Sequence, residues 1–385
     1  MIIRAFTDND LYKYTTMNAI QQLFPTANVQ YKFINRANTI FPEGFADQLR
    51  KEVDSMADLY LTQEEESFIR KRCYFFTPLF IDLLKGYRYN PEEVKIVQNG
   101  GQLDVTIEGL WYRTVLWEVP LMSIISELYY KMSGLKPDNL WQQRTIDKAN
   151  YLVDIDARFS DFGTRRRFSF DIHDSVLGLL KEHAGKHMIG TSNVYLGMKH
   201  DTLIIGTHPH EWFMYHGAHY GYRMANRMAL ENWTKVYNGA LGIALCDTFT
   251  SDNFFRFFDR MYAKLFDGLR WDSGDPIEFT QKALDRYKEL GIDARTKTII
   301  YSDALNVERV QKIKAFTQGK IMDAYGIGTN LTNDVGVTPL NMVIKLMTVQ
   351  PEYFDKPVPV VKLSDSTGKY SGDPEEIDLC LRTIR

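Results

Sequence analysis

A chain of 385 residues is long enough to bury a large core in two or three domains, and a net charge of −3 with no long basic stripe excludes nucleic acid as the expected partner. The 13% aromatic content is therefore expected to fill cores. Cys73, Cys246 and Cys380 are far apart and lack CxxC spacing, which argues against a disulfide framework or thiolate metal site and fits a reduced cytoplasm. No apolar run approaches the ~18 residues of a membrane span, and Met1–Asp8 shows no basic-then-apolar leader pattern.

Residues 1–117 read as an α+β domain. Val29, Tyr31 and Phe33 alternate as a half-buried strand, and charged segments near 44–57 and 62–72 look helical. Val94 and Ile96, then Leu103, Val105 and Ile107, alternate on either side of Asn99-Gly100-Gly101, the pattern of a hairpin. From Glu118-Val119-Pro120 the texture changes to repeated units of short buried strand, polar tip and amphipathic helix, with strands expected near 187–190, 202–206, 241–246, 268–271, 298–302 and 321–326. One helix can be argued closely: Asp275 caps it, Pro276 suits its first turn, Glu278 completes a capping box, and Gly291 ends it. Strand–helix alternation with polar groups at the strand C-termini predicts a parallel sheet over residues 118–350. The number of units suggests an irregular α/β barrel, TIM-like, with its site at that mouth, and a doubly wound sheet as the alternative. Residues 351–385, rich in proline and then in charge, read as a tail packing back on the first domain.

The tips carry the chemistry. Thr202–Ile205 is too short and β-branched for a helix, and Pro209 ends any strand, so His210 is expected just beyond a strand's C-terminal end. All eight histidines fall between His173 and His219, and the His208-Pro209-His210 pattern admits a metal-dependent amidohydrolase-like barrel. Such a site needs later imidazole ligands that this chain lacks. Asp272, Asp275 and Asp303 end neighbouring strands and suit a Mg²⁺ with a bound pyrophosphate, although Asp275 is already explained as a cap. Gly326-Ile327-Gly328-Thr329-Asn330 offers close backbone approach to a phosphate or simply a tight turn. Arg165-Arg166-Arg167 is either a solvated turn or a source of an anion-binding guanidinium.

Taken together, Thr7–Lys13, Glu118–Leu121, Phe162–Arg166, Gly190–Val194 (GTSNV), Gly206–Trp212 (GTHPHEW), Asp247–Phe249, Arg270–Pro276 and Tyr325–Leu331 resemble, in one order, the motifs of bacterial nicotinate phosphoribosyltransferases, which are type II phosphoribosyltransferases. The resemblance implies joining of nicotinate to phosphoribosyl pyrophosphate, driven by ATP through a transient phosphohistidine at His210, with Mg²⁺. It implies that Asp247 orients His210, and that Phe162 and a partner subunit's Tyr12 cover the pyridine ring in a homodimer with shared sites. It places Arg165 near the nicotinate carboxylate, and Arg270, Asp272 and the Gly326, Gly328 and Thr329 loop on ribose and phosphates. Thr191, Ser192, Ser302 and Asp303 are further candidates for substrate contact. Thr191-Ser192-Asn193 supplies no carboxylate to receive an amide NH₂, so preference for nicotinate over nicotinamide is expected. A non-catalytic barrel that binds an anionic metabolite would need the same loops.

Overall fold

The computed structural model describes residues 1–366 and 369–385. After a helix at Leu11–Leu23, β1 (Asn28–Asn35) is followed by the hairpin β2 (Val94–Asn99) and β3 (Gln102–Leu110). Strand–helix units then supply β4 (Phe159–Asp161), β5 (Met188–Thr191), β6 (Leu203–Ile204), β7 (Ile243–Leu245), β8 (Gly268–Trp271), β9 (Thr298–Tyr301) and β10 (Met322–Ile327). Last come β11 (Met342–Gln350) and β12 (Val358–Pro359).

Two sheets result. The hairpin turns at Gly100 with φ +57°, as its Asn-Gly-Gly signal requires. The antiparallel sheet has the order β12-β11-β1-β3-β2, so β1, whose Val29, Tyr31 and Phe33 are buried, lies at its centre. Its partner β11 comes from residues 342–350, which the expected 118–350 barrel block had claimed. The parallel sheet runs β6-β5-β4-β10-β9-β8-β7, and β6 and β7 are its two unpaired edges, so the barrel is irregular and open. β4 was passed over in the sequence because it has only three residues, in register with Tyr325–Ile327.

The two units share one core. From the first, Trp111 stacks with Trp212 and Tyr215 of the 210–220 helix and Phe24 packs tilted against both, with Trp111 and Tyr215 ring centroids 4.4 Å apart. In the tail, β12 pairs with β11 at the edge of the antiparallel sheet, and the chain then crosses to the parallel one. Leu363 N–H donates to Thr248 O at 2.8 Å, and Asp365 N–H donates to Ser273 Oγ at 3.0 Å. It ends in a helix at Pro374–Ile384, where Glu376 accepts from Tyr222 Oη.

Capping decides several helix starts. Asp275 accepts from the Ile277 and Glu278 N–H groups, and Gly291 follows the helix end at φ +66°. The reciprocal capping box forms instead at Thr62 and Glu65. Thr7–Asp10 is locked to the parallel sheet by buried polar contacts. Arg167 donates from both terminal nitrogens to Asp8, at 2.7 and 2.8 Å, with both side chains fully buried, and Asn193 adds a third bond at 2.8 Å. Burial alone would raise the Asp8 pKa, yet Arg167 outweighs it and holds the carboxyl below its usual range. A depressed folded pKa means the pair's contribution is present above the unfolded value of about 3.9 and is lost as pH falls through the folded one. Asp8→Ala is expected to cost about 3–5 kcal/mol in urea unfolding at pH 7, because it strands the Arg167 charge. Asp8→Ala combined with Arg167→Met should recover a large part.

Candidate active site

The site gathers at the C-terminal ends of the parallel strands. His210 is the first residue of the 210–220 helix, reached from β6 through a five-residue link whose Pro209 is extended (φ −89°, ψ 168°). Its Nδ1 lies 2.9 Å from Thr248 Oγ1. Its Nε2 lies 2.9 Å from Asp272 Oδ2 and 2.8 Å from Lys362 Nζ. Burial first, and then the Lys362 charge, lower its pKa against the pull of Asp247 and Asp272, so the ring is held neutral near pH 7.

Asp247 was expected to orient this ring. Its Oδ1 is 3.7 Å from Nε2, so Asp272 is the nearer carboxylate. Asp247 Oδ2 instead accepts from Ser273 Oγ at 2.6 Å, and its Oδ1 is buried without a hydrogen-bond partner. His208, two residues before His210, is fully buried among Phe213 and Trp233, with neither nitrogen bonded. Burial pushes its pKa down to about 3, so it stays neutral. The bend at Pro209 therefore separates the two rings, and the His-Pro-His pattern does not converge as a metal pair.

Arg270, Asp272 and Ser302 form one cluster. Arg270 donates to Ser302 Oγ at 2.8 Å and to Asp272 Oδ1 at 2.9 Å, and Ser302 donates to that same oxygen at 2.5 Å. The acid trio expected from sequence does not assemble, because Asp275 is an exposed cap and Asp303 reaches out to Lys369 at 3.7 Å. The group that does assemble is His210, Asp247 and Asp272, with ligand atoms within 4.8 Å of one another. Two hard carboxylate oxygens, one of them unpartnered, suit a divalent cation such as Mg²⁺.

Phe162 follows β4 and is half-buried. Gly326 lies under it: a Cβ there would come within 2.3 Å of the Phe162 ring, and one at Gly163 within 2.2 Å of Thr332 Oγ1. The close approach these glycines permit is thus to protein, and Gly328 and Thr329 lead into a helix of only four residues. Thr191 donates to Asp161 Oδ2 at 2.6 Å, which also faces the His173 ring, and Ser192 donates to Asp10 Oδ1 at 2.8 Å. A carboxyl therefore does stand beside Ser192, supplied by Asp10 from a distant segment, and burial raises its pKa.

Arg165 is 41% exposed and donates to Glu118 Oε1 at 3.2 Å, while the Tyr12 hydroxyl lies 3.5 Å from Glu118 Oε2. Within one chain Tyr12 and Arg165 thus approach the two oxygens of the same carboxylate. Lys13, fully buried, ion-pairs with both Glu118 and Glu211. Arg36, Arg166 and Lys345 have no side-chain partner among the described residues. Burial and neighbouring cations lower Arg166 to about 10 and Lys345 to about 8, and Arg36 is lowered in the same way. Unpaired cations so placed make a positive field at the mouth. Lys362, Glu118, Asp10, Arg36 and Lys345 had been given no role, because segments far apart in sequence deliver them.

The chain matches the model of the nicotinate phosphoribosyltransferase (NAPRTase) family over residues 157–383, and that of the NAPRTase N-terminal domain over residues 7–126. It is 52% identical over 385 residues to the nicotinate phosphoribosyltransferase of Chromohalobacter salexigens, covering 100% of this chain and 98% of that protein. The crystal structure of nicotinate phosphoribosyltransferase from Porphyromonas gingivalis superposes with a TM-score of 0.97 at 46% identity, covering 100% of both chains. A putative nicotinate phosphoribosyltransferase from Saccharomyces cerevisiae superposes at 0.94 with 31% identity, covering 100% of this chain and 98% of that one. No helix among the described residues is long and apolar enough to cross a membrane. The chain belongs to the nicotinate phosphoribosyltransferase family.

Proposed function

We propose that this chain joins nicotinate to phosphoribosyl pyrophosphate, giving nicotinate mononucleotide and pyrophosphate, and that it couples the reaction to ATP through a phosphohistidine at His210. Such an enzyme serves NAD salvage in the cytoplasm. The observation that supports the coupling most directly is the setting of His210, a neutral imidazole at a helix start with Lys362 at 2.8 Å. A neutral ring nitrogen attacks the γ-phosphorus of ATP, ADP leaves with the bridging oxygen, and Lys362 offsets charge on the transferred group. Water later cleaves the P–N bond and releases phosphate.

Glycosyl transfer asks for different help. Loss of pyrophosphate from C1 of the ribose builds positive charge at carbon and negative charge on the leaving group, while the pyridine nitrogen attacks C1. Arg270 and the unpaired Arg36, Arg166 and Lys345 support the reading of an anion-receiving mouth. Asp247 and Asp272 would hold Mg²⁺, whose chemistry when bound is charge neutralisation on the phosphate oxygens. Arg165 is the partner for the nicotinate carboxylate, and Phe162 and Tyr12 offer flat rings beside it. The proposal keeps a homodimer, on the family resemblance.

Purified protein given nicotinate, phosphoribosyl pyrophosphate and Mg²⁺ should form nicotinate mononucleotide slowly without ATP and faster with it. No product in either mixture would favour a barrel that only binds an anionic metabolite. Equal rates in both would remove the coupling.

A further inference from the structure

We propose that Lys13 is a positioning residue that joins the two halves of the site: its ammonium, held between Glu118 and Glu211, fixes Arg165 and the helix turn carrying His210 as one unit. The inference deepens the reading above and rests on it. Glu211 Oε1 takes one side of the ammonium at 2.5 Å, and Glu118 takes the other. Glu211 is peptide-bonded to His210, and its second oxygen accepts from Tyr31 Oη at 2.5 Å, which in turn accepts from Trp111 Nε1 at 2.9 Å. Glu118 gives its second oxygen to Arg165. One line of contacts therefore runs from Arg165 through Glu118, Lys13 and Glu211 to the first turn of the His210 helix.

Further contacts press the same parts together. Thr15 donates to Thr207 O at 3.2 Å, and a Cβ on Gly206 would come within 2.7 Å of Tyr12 N, so the 11–23 helix lies directly on the link that leads to His210. Lys13 is fully buried, and burial by itself lowers its pKa. The two carboxylates outweigh that and keep it an ammonium. Two carboxylates face two cations, Lys13 and Arg165, so the set is balanced only while all four stay in place. A ligand carboxylate that accepts from Arg165 draws the guanidinium from Glu118, which then leans harder on Lys13 and weakens its hold on Glu211. In a low-dielectric interior such exchanges are strongly felt. Linkage makes the effect reciprocal, so a change at His210 alters nicotinate affinity by the factor with which nicotinate alters His210.

The test uses isosteric changes at the two ends and looks for the effect at the far one. Glu211→Gln does not touch the nicotinate partner, yet it should raise the KM for nicotinate by about tenfold, within the range usual for coupled sites, and leave the KM for phosphoribosyl pyrophosphate within about twofold. Glu118→Gln does not touch His210, yet it should slow uptake of γ-labelled phosphate from ATP by about threefold or more, the size of a rate effect not being bound to the size of the affinity effect. The double variant should fall short of the product of the two single effects. Lys13→Met should show both losses at once, but it strands two buried carboxylates and risks misfolding, so the glutamine variants carry the test, with urea unfolding as the check on the fold. If Glu211→Gln leaves the nicotinate KM within about twofold and Glu118→Gln leaves labelling unchanged, each glutamate acts only on its neighbour and the bridge is overturned. A parent protein that takes up no label would overturn the phosphohistidine reading instead, while a raised nicotinate KM in Glu211→Gln would still uphold the bridge.

Discussion

His210→Ala is expected to reduce phosphoprotein formation and ATP hydrolysis to background, a loss on the order of a thousandfold or more, as removal of a covalent nucleophile does. A weak ATP-independent transfer should remain, because the glycosyl step draws on Arg270 and the other cations of the mouth and needs no protein nucleophile. The control is His208→Ala. Its ring packs on Phe213 and Trp233 and bonds to nothing polar, so the loss there is one of packing, and labelling per folded molecule should stay within about threefold of the parent. Incubation with γ-labelled ATP, followed by acid treatment to release label from a P–N bond, measures both variants. Label in His210→Ala equal to that in the parent would refute the assignment of the nucleophile.

These two histidines show what local pattern conveys. Proline between them was enough to expect the strand to end before His210, so that the two rings need not point the same way, and the alternating residues of β1 and the Asn-Gly-Gly turn announced the hairpin for equally local reasons. The partners of His210 were another matter. Lys362 comes from the proline-rich tail, 152 residues away, and nothing near it in sequence signals a lysine aimed at an imidazole. Asp247 and Asp272 both end strands, and only the distances of 3.7 and 2.9 Å from Nε2 tell which is the nearer. The sheet to which β11 belongs was hidden for a related reason. β11 was not among the expected strands, and its register with β1, Asn28 opposite Gln350, puts it in the first sheet. Pairing across hundreds of residues is set by packing, which period alone does not report.

The last expectation concerns the choice between acid and amide, where the structure changes the argument while keeping the direction. Preference for nicotinate was drawn from the lack of a carboxylate in Thr191-Ser192-Asn193, yet Asp10 stands against Ser192 and Glu118 against Arg165. Neither reverses the preference. Asp10 already accepts from Ser192, burial raises its pKa, and Glu118 is already engaged by Lys13. Arg165 makes one hydrogen bond at 3.2 Å to Glu118 and keeps its remaining donors for a ligand, with Arg36 and Arg166 adding unpaired charge nearby. A carboxylate gains charge-assisted bonds there, whereas an amide leaves part of the guanidinium unsatisfied. Arg165→Gln should therefore lower kcat/KM for nicotinate by about a hundredfold, equal to ~2.7 kcal/mol, mostly through KM. For nicotinamide the same change should cost less than about tenfold, because no charge pair is lost, so the discrimination ratio shrinks by at least about a factor of ten. Steady-state kinetics with both substrates decide the matter, and a ratio unchanged by Arg165→Gln would move the carboxylate partner to Arg36 or Arg166.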